Sequence, residues 1–146
     1  MADAREVPAP SAWRIILSRR RAGLTAEVGD FFAPGFVNHN ARPGTPDGPE
    51  GAAGVFTRLW AGCSDMRFEV QDMVAEGRRV VCIGMMTGTH DGTLHGIPAT
   101  HRPTASRQVH VITSDDAGLI TEHLAVRDDV TLFLHLGVLP SAWPTG

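Results

Sequence analysis

The chain has 146 residues, 42% of them hydrophobic and 20% charged, with a formal net charge of −3. That is the size and balance of one soluble globular domain able to bury its own core. It leaves no basic footprint for nucleic acid, and the longest apolar runs are too short to span a bilayer. The one basic run, Arg19-Arg20-Arg21, falls within a helical pattern and reads as a solvated face.

Residues 1–10 offer almost nothing to bury and read as a disordered lead-in, with no apolar signal core; residues 11–146 then form a single domain. Ser11 is a helix cap before Trp13-Arg14-Ile15-Ile16-Leu17, and helical spacing continues to Phe32 until Pro34-Gly35 stops it. Phe36-Val37-Asn38-His39-Asn40 reads as a short irregular segment, and Ala41 to Gly48 as a Pro/Gly loop. A second helix starts at Gly48-Pro49-Glu50, carries Ala52, Val55, Phe56, Leu59 and Trp60 on one stripe, and stops near Gly62.

Alternation then takes over. Met66 to Ala75 is a strand with Phe68, Val70 and Val74 on one face; Glu76-Gly77-Arg78 turns it into Arg79 to His90. After a loop over 91–102, Arg107 to Thr113 and Leu119 to Arg127 form two more strands joined by a hairpin at 114–118. A short helical pattern, Leu132, Phe133 and Leu136, closes the chain. Helices segregated from an antiparallel sheet make an α+β domain; a strongly curved sheet closed by the N-terminal helices would form a cone with an interior.

Within the last strand, Glu122 and Asp128 share a parity with Ile120, Leu124 and Val126. A carboxylate on an apolar face has its pKa raised toward acid/base duty. The competing reading is that Asp128 ends the strand and caps the next helix. A tight hairpin sets His110 opposite Glu122 or His123 and Arg107 nearer Ala125, so His110 is either half of an acid/base couple or a hydrogen-bonded wall residue.

His90, His95 and His101 match no zinc spacing, and no phosphate loop or nucleophile elbow is present. Cys63 and Cys82 fit neither a disulfide framework nor a metal site and read as buried thiols in a reducing, cytoplasmic setting. There is no tyrosine, so hydrogen-bond donors must come from His, Asn, Gln, Trp or the backbone.

From about Phe31 to Pro140 the chain resembles the SnoaL-like polyketide cyclases, which share the cone-shaped fold of the nuclear transport factor 2 type. The resemblance is carried by Phe36-Val37-Asn38-His39-Asn40, Gly48-Pro49-Glu50-Gly51, Thr87-Gly88-Thr89-His90-Asp91-Gly92 with Gly96-Ile97-Pro98, Glu122-His123 followed by Asp128, and Leu136-Gly137-Val138-Leu139-Pro140. It implies an apolar cavity for an aromatic polyketide and intramolecular aldol cyclisation without metal or organic cofactor, with Asp128 at the family's proton-shuttling position. His110 joins it as a catalytic candidate, with Asn38, His39, Trp60, Arg107, Glu122 and His123 as substrate-binding candidates.

Alternatives are hydroxylation of a polyketide with a partner reductase, or a non-catalytic binding module. The runs Val80 to Ile83 and Val109 to Ile112 are apolar on both parities, which implies a second subunit on the outer face of the sheet and a homodimer at least.

Overall fold

The computed structural model describes residues 28–140, so the expected lead-in and the expected helix from Ser11 to residue 27 lie outside the described residues. A 3-10 turn (Val28–Phe31) leads into strand β1 (Phe32–Asn38), helix α1 (Gly48–Gly62), strands β2 (Arg67–Glu76), β3 (Arg79–Thr89), β4 (Pro103–Ser114) and β5 (Ile120–Arg127), and helix α2 (Asp129–Leu136). The strands form one curved sheet in the order β1-β5-β4-β3-β2, whose two edges do not meet. This is the expected α+β fold. Among the described residues no helix is long and apolar enough to cross a membrane.

One element departs from expectation. Residues 32–38 are neither helix end nor irregular segment but a strand, and β1 runs parallel to β5, with Phe32 opposite Ile120 and Asn38 opposite His123. The sheet is therefore mixed. Pro34, which has no N–H to give, is tolerated because β1 is an edge strand with an irregular register between Phe32 and Val37. Phe32 and Phe36 both point inward and meet edge to face, with ring centres 4.6 Å apart.

Helix α1 begins where Pro49 needs no donor, after Gly48 at φ 75°. Its stripe of Ala52, Phe56 and Trp60 packs on Phe32, Phe36, Cys82, Ile112 and Ile120, the principal core. A second cluster joins Cys63, Leu94, Leu132 and Leu136, seating α2 and the 90–102 loop. Gly62 makes that seat possible, because a Cβ there would lie 2.7 Å from the Leu94 Cβ.

Two bulges reverse side-chain parity along the sheet. In β2 the register slips between Val70 and Asp72, so Met73 turns inward and Val74, expected to share a face with Phe68, is 59% exposed. In β5 the partners Ser114↔Ile120 and Thr113↔Glu122 leave Thr121 as the extra residue. Ile120 is fully buried, yet beyond the bulge Glu122, Leu124 and Val126 face out while Ala125 is buried. The cross-strand rows on the inner face become Met73–Cys82–His110–Ala125 and Val70–Gly84–Gln108–Arg127. The Cβ missing at Gly84 would sit 2.5 Å from the Phe68 ring, and that ring in turn packs edge-on to His110, centroids 5.2 Å apart.

Candidate active site

Between α1, the inner face of the sheet and the two loops at 39–47 and 91–98 lies a cavity of about 400 Å³. Its floor is apolar, from Phe32, Phe36, Phe56, Leu59, Met66, Phe68 and Leu132. One wall is polar. Asn38, Gln108, His110 and His123 come from β1, β4 and β5, and the parity change at Thr121 is what turns His123, Ala125 and Arg127 toward the interior.

These polar groups form a chain. His123 Nδ1 lies 3.3 Å from Asn38 Oδ1, His123 Nε2 lies 2.9 Å from His110 Nδ1, and His110 Nε2 lies 3.0 Å from the Gln108 side-chain oxygen. Asn38 Oδ1 already accepts the Asn40 backbone N–H, so the hydrogen of the first link sits on His123 Nδ1. In a neutral pair His110 then donates to His123, and its own Nε2 is left as an acceptor that needs the amide N–H of Gln108. With Gln108 presenting its oxygen, both links are satisfied only if the pair holds one more proton. The two states differ by a proton and a half-turn of one carboxamide.

Burial decides between them in the free protein. Desolvation first, then the neighbouring His123 and Arg127 charges, push His110 down from 6.5 to about 3. Desolvation, Arg127 and His39 push His123 down to about 4. Both imidazoles are neutral at pH 7.

At the end of β5 two consecutive aspartates take different roles. Asp128 is the N-cap of α2: its carboxylate accepts from the Thr131 backbone N–H at 3.0 Å and from the Thr131 hydroxyl at 2.6 Å. Those two bonds hold its pKa below the ordinary carboxylate value, and its side chain is exposed and outside the cavity lining. Asp129, the next residue, lines the cavity and meets the Arg127 guanidinium at 3.1 Å. Among the described lining residues Asp129 is the sole carboxylate.

Of the residues singled out in the sequence, the structure therefore gathers Asn38, His110 and His123 around the cavity, and leaves Asp128 outside it. His39 and Glu122 pair with each other at 3.0 Å, both exposed. Arg107 points to solvent, and its register partner is Met85 rather than a cavity residue. Trp60 is buried in the core beside Phe56 and is not part of the lining. His110 lies opposite Ala125 and reaches His123 on the diagonal.

The sequence reading missed Asn40, Arg42, His95, Gln108, Arg127 and Asp129. Asn40 acts as a one-residue extension of β1, since its side chain both accepts the Ala125 N–H and donates to the Ala125 carbonyl. The three loop histidines diverge: His90 is fully buried against Thr100, His95 takes a hydrogen bond from Arg42, and His101 is exposed at φ 57°. Among the described residues no three His, Cys, Asp or Glu side chains converge as a metal site.

A family model for SnoaL-like polyketide cyclases matches residues 14–136. The aklanonic acid methyl ester cyclase DnrD of Streptomyces peucetius is 30% identical over 135 residues, covering 90% of each chain. DauD of Streptomyces sp. strain C5, which bears the same description, is 30% identical over 90% of this chain and 81% of its own length. Among solved structures, TsrD from Streptomyces laurentii superposes with a TM-score of 0.81 at 23% identity, covering 94% of this chain and all of that one. IdmH from Streptomyces antibioticus superposes with a TM-score of 0.64 at 31% identity, covering 87% and 99%. With the family model spanning most of the chain and full-length relatives alongside it, this protein belongs to the SnoaL-like polyketide cyclase family.

Proposed function

We propose that the chain closes a ring in an aromatic polyketide intermediate by intramolecular aldol addition within this cavity. The observation that carries the reading is the Asp129 carboxylate, held at the cavity wall by Arg127. Asp129 takes the proton from a carbon flanked by carbonyls. Arg127 then supplies positive charge and N–H groups to the enolate oxygen, beside the uncharged His110–His123 wall. The carbanion attacks a second carbonyl of the same molecule, and the proton on Asp129 passes to the new alkoxide, so substrate and product are isomers. The relatives' description as cyclases of an anthracycline-type methyl ester supports the same reaction class.

The test is to incubate purified protein with an anthracycline-type precursor, supplied as free acid and as methyl ester, in air and under nitrogen. An isomer of the substrate formed equally in both atmospheres is the expected result. A product carrying one added oxygen, formed only in air with a reductase present, would replace this reading with hydroxylation.

We also propose that two copies associate through the outer face of the sheet. Cross-strand partners align Val74, Val81, Val111 and Leu124 in one outward row and Ile83, Val109 and Val126 in the next. Val126 is 65% exposed and Leu124 42%. A contiguous apolar face of this kind calls for cover. Light scattering at micromolar concentration should give twice the mass of one chain, and Val126→Asp should lower it toward a single chain; a monomeric parent protein would end the proposal.

A further inference from the structure

The polyketide reading above treats the cavity as the substrate site, and on that basis its rim carries a second message. Three guanidinium groups, Arg42, Arg58 and Arg127, line the cavity against one carboxylate, Asp129. The chain as a whole is net negative, so this local excess of positive charge is not a reflection of composition. Asp129 engages Arg127, whereas Arg42 and Arg58 have no carboxylate partner among the described residues.

What Arg42 does meet is His95. One guanidinium N–H donates to His95 Nδ1 at 2.7 Å, which fixes the imidazole hydrogen on Nε2. Burial, followed by the charges of Arg127 and Arg42, keeps that imidazole below its ordinary pKa and therefore neutral at pH 7. Every group that Arg42 and His95 still have to offer is a donor.

The placement is built rather than incidental. His95 and Gly96 form the two-residue tip between Leu94 and Ile97, with φ of 52° and 81°, and a non-glycine residue in the left-handed region is held there against a cost. Leu94 anchors the tip in the core, and Phe133 of α2 packs edge-on against the His95 ring, centroids 6.2 Å apart.

We propose that Arg42 and His95, with Arg58 lining the same cavity, form a subsite for a free carboxylate on the substrate. A rim of donors matches an oxyanion, and a guanidinium can take a carboxylate with two parallel hydrogen bonds. A methyl ester offers the same site only weak, uncharged acceptors and leaves part of the donor set unmatched. The substrate so selected is the acid itself, in contrast to the methyl esters named for the relatives at 30% identity. The reaction that supplies it would then end on a released acid rather than on a methyl transfer.

The experiment compares anthraquinone-2-carboxylate with its methyl ester by calorimetric titration of the full chain at pH 7.5, in low and high salt. The acid should bind at least about tenfold more tightly than the ester, and the gap should narrow as salt rises. Arg42→Gln should remove most of that preference by weakening the acid far more than the ester; Arg42→Lys, which keeps the charge but loses the fork, should restore only part of it. Equal or tighter binding of the ester, or a preference that survives in an Arg42→Gln, Arg58→Gln double variant, overturns the subsite. Binding of neither probe overturns it together with the reading of the cavity as an aromatic site. Acid-selective binding without any ring closure of a precursor would instead count against the aldol reaction alone.

Discussion

Replacing Asp129 by Asn should lower kcat for ring closure by at least about 10²-fold, the usual contribution of a positioned acid/base group, while leaving substrate affinity within a few-fold. Asp128→Asn should leave kcat within a few-fold. Asn still accepts the Thr131 N–H at the N-cap position, so the thermal midpoint should also stay close to that of the parent. The pair is informative because the two side chains are adjacent in sequence and diverge in space: one caps α2 in solvent, the other lines the cavity beside Arg127. Steady-state kinetics of both variants decides the matter. Activity lost in Asp128→Asn and kept in Asp129→Asn would return the proton shuttle to the position that the family resemblance suggests, and would require the α2 cap to rearrange on substrate binding.

Stability should fall on mild acidification, and the His110–His123 pair should be responsible for much of the fall. Both folded pKa values lie below the ordinary 6.5, at about 3 and about 4. Below pH 6.5 the unfolded chain therefore takes up protons that the folded chain refuses. The stabilisation is complete above pH 6.5 and drains away as pH drops through the window from 6.5 toward about 4 for His123 and about 3 for His110. Each imidazole contributes a slope of at most about 1.4 kcal/mol per pH unit. At roughly 3 °C per kcal/mol for a chain of this size, the midpoint should drop by several degrees between pH 7 and pH 5. Scanning calorimetry of the parent and of a His110→Gln, His123→Gln double variant tests this, since the variant should show a flatter acid limb over the same range. Parallel limbs would mean that other groups set the acid sensitivity and that the pair titrates near its ordinary value.

Much of the architecture was open to reading from local chemistry. The Gly48-Pro49 start and Gly62 stop of α1, the turn after Glu76 and the hairpin before Ile120 all stand where turn residues and periodicity put them. β1 was not legible in the same way, because its strand character depends on a parallel partner 85 residues further along, as Asn38 and His123 illustrate. Pro34-Gly35, read locally, argues only for a break.

The site was less legible than the fold, and the cause is specific. A single extra residue at Thr121 inverts every side chain after it. The parity that linked Ile120 to Glu122, Leu124 and Asp128 was counted correctly along an unbroken strand, but the strand is broken. His123, Ala125 and Arg127 inherit the interior, and Asp129 follows them there. Nothing in the residue types at 120–122 announces a bulge; it answers to the pairing with Thr113 and Ser114. His110 was singled out as a histidine on a strand with apolar neighbours, whereas Asn38, read in an irregular segment, became a candidate only through the family resemblance. Arg42 and His95 were missed because their meeting depends on two loops 53 positions apart.

The close approach of Phe68 to Gly84 has an implication for reshaping the interior. Positions 68 and 84 share one volume: a ring leans over a backbone with no side chain, and the same ring braces His110. Room made at 68 does not by itself admit a methyl at 84, because the Glu69 carbonyl oxygen also lies 2.5 Å from where that Cβ would sit. Neither residue donates or accepts a proton in the polar chain. Exchanging Phe68 for a smaller apolar residue, with Gly84 kept, is thus a way to lengthen the accommodated ring system, and it does so by giving up the ring that braces His110.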